Sequence, residues 1–372
     1  MARCSACVLL SVFSVLVHCT STECLAQTRW IGWSLHNADF SVQSDGNASA
    51  PGYQAGTILT PGAAGVFLPV VWRGSPQTMT ILDPRTSGWR SAEIIGAFGQ
   101  YQVGKIQDMD RVAYGALWRG TAESLVVLKP TGVGYTGSGA NSVHDTQAVG
   151  YARKGGNSHA VLWDVSTGTF TDLHPAGATT SGASATDGVR QGGGAYFPDL
   201  GMDRALVWNS APDDYVDLTP LGSRGASVRA MTADTQVGRV KFGNQTYAAL
   251  WHNSAESFVN LAPPELDYST VAATTGTIHV GWSRDLSVGD HACAWISDSP
   301  DGYIDLHTSL GPNYVASDAR AVSTDGRFVT VVGTALSNTG RLEAVMWTAI
   351  IPAPGVMTLA SLAGFLAMSR RR

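Results

Sequence analysis

The chain has 372 residues, of which 44% are hydrophobic and only 14% are charged, against roughly a quarter charged in an ordinary soluble domain. Its formal net charge is −5, and no basic residues cluster in the body of the sequence. This composition excludes a disordered polyelectrolyte, a charged coiled coil and a nucleic-acid-binding surface. The 42 Gly and 11 Trp residues favour an all-β protein with many turns.

The first 26 residues have the pattern of a secretory signal peptide. Arg3 precedes an apolar stretch from Ala6 to Val17, and Cys24-Leu25-Ala26 provides a candidate cleavage site. The apolar stretch is too short and wrongly flanked for a membrane span. We therefore expect residues 1–26 to be removed and the protein to be exported.

Residues 27–350 contain a repeat of about 45 residues that is marked by tryptophan. Each repeat has an apolar run that ends in Trp, a small residue or Pro three positions before that Trp, and in most repeats a Gly 13 to 16 positions before it. The repeated tryptophans are Trp72, Trp118, Trp163, Trp208, Trp251, Trp295 and Trp347. Each unit reads as four short strands between turns, which is typical of a β-propeller. We predict an all-β, seven-bladed β-propeller of four-stranded blades.

Leucine marks the fourth strand of each unit, ten or eleven residues after the Trp, except in the seventh repeat. The segment Arg29–His36 supplies the missing strand, because Leu35 precedes Leu82 by 47 residues and so lies in register with the other repeats. The N-terminal strand is thus predicted to pair into the last blade and to close the ring, which removes an open sheet edge.

Cysteine usage agrees with trimming at the N-terminus. Cys4, Cys7, Cys19 and Cys24 lie in the signal segment, so the mature chain keeps only Cys293. A disulfide framework or a Cys-based zinc site within one molecule is therefore excluded. Cys293 stands in an apolar column two positions before a repeated Trp, which predicts a small buried hydrophobe rather than a nucleophile.

Residues 351–372 read as a processing or anchoring tail. Pro352 and Pro354 precede an apolar stretch from Val356 to Met368, and three Arg residues end the chain. This pattern resembles the PEP-CTERM class of bacterial sorting signals. The resemblance implies transient membrane anchoring, cleavage by an exosortase-type enzyme, and a final place in the cell envelope, at the cell surface or outside the cell. A simple membrane anchor is the alternative.

The repeats themselves resemble the HAF family of extracellular repeats. The likeness rests on His159-Ala-Val-Leu-Trp163 with Asp172-Leu173, and on His291-Ala-Cys-Ala-Trp295 with Asp305-Leu306. It implies a secreted β-propeller-like protein and no known reaction.

A search for chemistry finds no nucleophile elbow, zinc-protease motif, phosphate loop or dinucleotide fingerprint. We therefore expect no cofactor, no metal and no catalytic residue. Five residues at the hairpins between the second and third strands are predicted to share one face, and they form the candidate ligand site: Arg153, His159, Lys241, Arg284 and His291. This face is either a cationic funnel for an acidic glycan or a set of solvated hairpin ends.

Three functions remain open on this basis. The favoured one is a non-catalytic binding or matrix protein with exopolysaccharide as a candidate partner. A glycan- or lactone-active enzyme would instead need an acid/base pair near the channel, where the candidates are His144, Asp145, Asp187, Asp234 and Asp325. A structural spacer is the third.

Overall fold

A computed structural model of the chain describes residues 29–62, 66–285 and 289–350. The predicted signal peptide and sorting tail therefore lie outside the described residues. Within the described ranges the secondary structure consists of β-strands and short 3-10 helices, and no helix there is long and apolar enough to cross a membrane. The all-β prediction is confirmed.

The strands come in groups of four. In chain order they are β1 (Ile31–Ser34); β2 (Gln43–Ala50), β3 (Tyr53–Leu59), β4 (Phe67–Trp72), β5 (Thr80–Ile81); β6 (Ser91–Phe98), β7 (Tyr101–Gln107), β8 (Ala113–Trp118), β9 (Val126–Leu128); β10 (Tyr135–His144), β11 (Gln147–Lys154), β12 (Asn157–Asp164), β13 (Thr169–Asp172); β14 (Thr180–Thr186), β15 (Gln191–Phe197), β16 (Met202–Ala211), β17 (Asp214–Asp217); β18 (Gly225–Met231), β19 (Gln236–Phe242), β20 (Gln245–Trp251), β21 (Val259–Asn260); β22 (Tyr268–Thr274), β23 (His279–Asp285), β24 (Gly289–Trp295), β25 (Tyr303–Asp305); and β26 (Tyr314–Thr324), β27 (Phe328–Ser337), β28 (Leu342–Ile350). The 3-10 helices span Pro76–Thr78, Pro84–Ser87, Ala122–Ser124, Ala255–Ser257, Pro300–Gly302 and His307–Leu310.

Each group pairs as an antiparallel meander. The groups β2–β5, β6–β9, β10–β13 and β14–β17 are separate four-stranded sheets. The groups β18–β21 and β22–β25 are joined into one sheet by a single parallel pair, Thr246 with Tyr268. Strand β1 pairs antiparallel with β28, placing Gly32 opposite Trp347, and so forms the fourth strand beside β26–β28. Four-stranded antiparallel sheets are the repeating unit of the fold.

The repeated Trp and Leu residues form the interior between neighbouring sheets. All seven repeated tryptophans are at most 2% exposed, and every repeated leucine is buried. One cluster joins Trp72 and Leu35 to Val332 and Met346, so the first and last sheets pack against each other through the N-terminal segment. Burial of these large side chains on both faces of each sheet is the main stabilising contribution of the repeat.

The small residue three positions before Trp permits a direct link between sheets. Its backbone N–H donates to a serine hydroxyl on the first strand of the next group, at 2.8–3.0 Å in five places. These pairs are Gly115–Ser138, Ala160–Ser181, Ala248–Ser269, Ala292–Ser317 and Ala344–Ser44. A side chain larger than a methyl group in this column would separate the sheets.

Strands β2, β6, β10, β14, β18, β22 and β26, called the inner strands below, each contain a β-bulge at the same place. The partner strand carries the repeated glycine opposite the residue before the bulge, for example Gly150 opposite Ala140. A Cβ atom on these glycines would lie 1.9–2.1 Å from a backbone carbonyl oxygen of the inner strand. The bulge therefore requires glycine because the two backbones approach too closely for any side chain.

This contact predicts a clear cost for adding one methyl group. Gly150→Ala would place a Cβ 1.9 Å from the Gly139 carbonyl oxygen, so we expect destabilisation of about 1–3 kcal/mol from overpacking. Gly182→Ala is the matched control, because its Cβ would meet nothing within 4 Å. Thermal unfolding of both variants measures the difference. Equal melting temperatures would show that the close approach does not constrain the sheet.

Candidate functional site

Two adjoining cavities of about 680 and 660 Å³ lie between the inner strands. Both are lined by the bulge residue of every inner strand, so these residues form the waist at which the cavities meet. The bulge residues are Asn47, Ile95, Asn141, Ser184, Arg229, Ala272 and Arg320. Sheets packed face to face around such a shared cavity have the architecture of a β-propeller. The size is that of a small-ligand site.

Some of the polar waist residues have structural partners. The Asn47 side-chain amide donates to the Ile94 carbonyl at 2.8 Å, and Asn141 donates to the Ala183 carbonyl at 2.9 Å. Each bond links one inner strand to the next. These two amides stabilise the waist. The side-chain oxygen of Asn47 also accepts a hydrogen bond from Arg320.

Arg320 is held by carboxylates. Its guanidinium donates to Asp45 at 3.1 Å, to the Asn47 side-chain oxygen at 2.8 Å, and to Asp318 at 3.0 Å. Burial by itself would lower the pKa of Arg320, but Asp318 and Asp45 outweigh that effect and raise it. The positive charge of Arg320 is therefore neutralised within the fold.

Arg229 occupies the same position as Arg320 but has no such partner. Neither Arg229 nor its neighbour Arg239 forms an ion pair within the described ranges. Burial in the cavity wall and the like charge of Arg239 lower the pKa of Arg229, against a smaller opposing effect of Tyr268. Nη1 of Arg239 lies 3.5 Å from the Tyr268 hydroxyl. The pair is an uncompensated positive charge beside the cavity.

An aromatic pair adjoins the two arginines. The rings of Tyr268 and Trp282 stack with centroids 4.6 Å apart and an angle of 14° between their planes, and both line the 680 Å³ cavity. The guanidinium of Arg284 lies 5.7 Å from the centre of the Trp282 ring on the strand end. The stacked rings place an aromatic surface in the cavity wall beside the two arginines.

Acidic residues are distributed unevenly around the wall of the 680 Å³ cavity. The residue two positions before the bulge is acidic on β2, β6 and β26, where it is Asp45, Glu93 and Asp318. On the other inner strands it is uncharged: Gly139, Gly182, Ser227 and Thr270. Arg229 lies on one of these uncharged inner strands and Arg239 on the strand paired with it, so the position two before the bulge supplies no carboxylate to them. The part of the wall formed by Arg229, Arg239, Tyr268 and Trp282 is called the basic sector below.

The five residues predicted from sequence do not converge on these cavities. Lys241 lines a third cavity, described below, whereas the other four are absent from the walls of all three cavities. Arg153 is exposed at a hairpin. Arg284 forms a two-point ion pair with Asp290, at 2.5 and 2.8 Å, which raises its pKa.

His159 and His291 belong to a repeated interface between sheets. Nδ1 of His159 lies 2.9 Å from Asp172, and its ring stacks on His174 with centroids 3.8 Å apart. His291 does the same with Asp305, at 2.8 Å, and with His307, at 4.1 Å between centroids. Both side chains are thus bonded to a carboxylate of their own sheet and stacked on a second histidine.

Burial and hydrogen bonding surround the second histidine of each stack. Ser181 accepts the Ala160 N–H, and its hydroxyl lies 2.8 Å from Nδ1 of His174, to which it can donate its own hydrogen. Nε2 of His174 then donates to the Ala178 carbonyl at 3.0 Å. Burial, and then the neighbouring His159, lower the pKa of His174 accordingly. The serine bonds repeat at His36 with Ser44 and at His307 with Ser317.

The channel residues predicted for an enzyme are also dispersed. His144 lines the 660 Å³ cavity and stacks on Phe98 at 3.8 Å between centroids, and Asp187 lines the same cavity but pairs with Arg190 at 3.0 Å. Asp145, Asp234 and Asp325 lie in turns outside the walls of the three cavities. Among the residues that the structure describes, no group of three His, Cys, Asp or Glu side chains could hold a metal ion.

Cys293 is fully buried, as predicted. Its side chain has 0% exposure, and burial raises the pKa of the thiol well above its ordinary value. A buried neutral thiol is inert as a nucleophile.

The basic sector was missed in the sequence, although a signal for it exists. Arg229 lies nine residues before the repeated Gly238, the same offset that separates Asn47 from Gly56 and Asn141 from Gly150. Arg239 and Trp282 each directly follow a repeated glycine. The bulge residue stands nine residues before the repeated glycine in six of the seven groups and 13 before it at Arg320, but the residue types at this position do not repeat.

Comparison with known proteins bears on the fold. No family model and no curated protein sequence matches the chain. The structure is similar to a puromycin-hydrolyzing peptidase of Mycobacterium tuberculosis, with a TM-score of 0.50 and 13% identity over 87% of this chain and 53% of that one. It is also similar to prolyl oligopeptidase B from Galerina marginata, with a TM-score of 0.47 and 11% identity over 79% of this chain and 45% of that one. A third similar structure is the β-propeller domain of the Trilobed protease from Pyrococcus furiosus, with a TM-score of 0.45 and 9% identity over 73% of this chain and 100% of that one. The chain spans about half the length of the first peptidase. At such identities only the fold is comparable.

The neutral histidines predict a pH-dependent stability. His36, His174, His279 and His307 have pKa values lowered by burial from the ordinary 6.5, so the unfolded chain binds more protons below that pH. Their stabilisation is complete above about pH 6.5 and is lost as the pH falls. We expect the melting temperature to fall between about pH 7 and pH 5.

The double variant His174→Gln/His307→Gln should show a smaller fall, because two of the four groups no longer titrate. His144→Gln, at a histidine that stacks on Phe98 and lies outside both histidine stacks, is the control and should retain the pH dependence. An identical slope in the double variant would exclude these stacks as its source.

Proposed function

We propose that this chain is an exported, seven-bladed β-propeller that binds an acidic polysaccharide without transforming it. The favoured location is the cell envelope, the cell surface or the medium, after an exosortase-type enzyme has removed the tail. The proposal is based on the repeat count, on the N-terminal and C-terminal patterns of the sequence, and on the charge distribution of the cavity. The cavity replaces the hairpin face as the proposed ligand site.

The seven-bladed count follows if the eight-stranded sheet is two blades that touch at one residue pair. Two contacts of the N-terminal region with the last sheet support closure of the ring. Strand β1 pairs with β28, and Ser44 on β2 accepts the Ala344 N–H of β28 at 2.9 Å. Arg320 on β26 bonds Asp45 on β2. The last sheet thus contacts the first through backbone, side-chain and apolar interactions.

One observation carries the binding proposal, namely that Arg229 and Arg239 have no carboxylate partner within the described residues beside the Tyr268–Trp282 stack. A hexuronate unit presents a carboxylate that can accept two guanidinium hydrogen bonds. The C–H face of its ring can pack on an aromatic side chain, while its hydroxyls need polar partners such as Asn141 and Ser184. An acidic saccharide therefore complements every part of the sector.

Binding fits the cavity better than catalysis does. Asp45 and Asp318 are bonded to Arg320, and Glu93 lies 3.6 Å from Lys105. An acid/base pair would need two carboxyl groups, or a carboxyl and a histidine, that are free to exchange protons with the same substrate. The carboxylates of the cavity wall instead serve Arg320 and Lys105.

The proposal predicts which charges binding requires. In isothermal titration calorimetry with polygalacturonate, Arg229→Gln/Arg239→Gln should weaken affinity about tenfold or more, since charge-assisted hydrogen bonds contribute roughly 1.5–3 kcal/mol each. Added salt should weaken binding by the wild type, and the fully methyl-esterified polymer should bind poorly.

The matched control is Arg111→Gln/Arg153→Gln, which removes the same charge from two exposed hairpins between second and third strands. It should bind as the wild type does. Loss of binding in this control but not in the cavity variant would return the site to the hairpin face and refute the cavity assignment.

A second prediction concerns processing. The native exported protein should begin near Gln27 and end near Pro354, which intact-mass measurement on the secreted material tests. A mass that includes residues 355–372, in a host with the sorting enzyme, would favour a simple membrane anchor over a sorting signal.

A further inference from the structure

A groove of about 710 Å³ leads outward from the basic sector. It runs between the sheet of β14–β17 and strands β18–β20, and it shares Ser184, Arg229, Arg239 and Tyr268 with the central cavity. Arg224 and Lys241 lie in its wall toward the hairpin side, and Tyr196 lies on the facing sheet. The groove is therefore continuous with the cavity rather than a separate pocket.

Strand geometry places the basic residues in a row. Arg239 and Lys241 are two positions apart on β19, so their side chains leave the same face of the strand about 7 Å apart. Arg224 lies beside Lys241, because its N–H donates to the Lys241 carbonyl at 2.7 Å. The row proceeds from Arg229 at the axis through Arg239 to Lys241 and Arg224 at the outer end.

This row faces little opposing charge. No side chain of the row forms an ion pair within the part of the chain that the structure describes. Asp203 is the one carboxylate in the groove wall, and it pairs with none of them. The adjacent Arg204 is paired with Asp217 outside the row. Four cations along one path thus remain available in a protein whose formal net charge is −5.

We propose that the ligand is an extended anionic polysaccharide, one unit of which occupies the basic sector while the following units lie along this groove. The inference rests on the proposed function and specifies that the site binds a segment of several linked units rather than a single sugar. A monosaccharide could satisfy Arg229 and Arg239 alone. Only a chain can also reach Lys241 and Arg224, and Tyr196 and Tyr268 then offer aromatic faces at two points along it.

Linked contacts make affinity depend on chain length. Once one unit is bound, the next carboxylates meet the outer cations at a high effective concentration, so longer chains bind more tightly without any new kind of contact. Each added ionic contact also steepens the dependence on salt, because exposed charges are screened.

The experiment measures binding of galacturonate oligomers of two, four and six units by calorimetry. For the wild type we expect affinity to rise about tenfold or more from dimer to hexamer. Arg224→Gln/Lys241→Gln should bind the dimer as the wild type does but lose most of that rise. Arg229→Gln/Arg239→Gln should weaken every length, and Arg111→Gln/Arg153→Gln should change none. Thermal melting of each variant controls for folding.

The outcomes separate the two proposals. If wild-type affinity is the same for all lengths, or if the outer variant retains the full rise, the groove assignment is refuted while binding in the cavity stands. If the outer variant weakens the dimer as much as the hexamer, a single unit already contacts all four cations and the chain interpretation is wrong. If the wild type binds no oligomer at all, the proposed function itself fails.

Discussion

The close approach between the inner strand of each sheet and the glycine opposite it is the constraint on which the rest depends. The carbonyl oxygen of the inner strand occupies the space where a Cβ would lie, at 1.9–2.1 Å, so the position excludes every other residue. The resulting bulge leaves one residue of the inner strand out of the strand pairing and directs it toward the central cavities. That residue has no partner in the strand pairing. Its type varies among Asn, Ile, Ser, Arg and Ala, while the repeated residues around it stay the same.

This division explains what the sequence predicts and what it does not. Trp, Leu and the small residue before Trp repeat because they pack between neighbouring sheets, and glycine repeats because the inner strand of its own sheet lies directly against it. Their spacing predicted the strands and the buried column. His159 bonds Asp172 on the next strand of its own sheet and stacks on His174, which bonds Ser181 of the next sheet. His291 repeats this arrangement with Asp305, His307 and Ser317. Repetition of these histidines therefore accompanies packing between sheets.

The cavity could not be predicted in the same way, because its chemistry depends on differences between repeats. Arg229 and Arg320 stand at equivalent positions with opposite surroundings. The residue two positions earlier is Asp318 for Arg320 and Ser227 for Arg229, and the same position of the neighbouring inner strand is Asp45 for the first and Thr270 for the second. One arginine closes an internal ion-pair network and the other faces open space. Net charge and composition average over both sites and detect neither.

Arg229 holds its guanidinium at the cavity wall with no ion-pair partner among the described residues. The fold has a local means to neutralise Arg229, since a carboxylate at position 227 would repeat the arrangement seen at Asp318. The sequence places Ser227 there instead, and it adds Arg239 alongside rather than a counter-charge. Desolvation, and then the like charge of Arg239, lower the pKa of Arg229. Two like charges stand beside a stacked aromatic pair, on strands fixed by the bulge and by buried tryptophans. For the proposed binding of an anion, such an arrangement would need little further ordering of the protein.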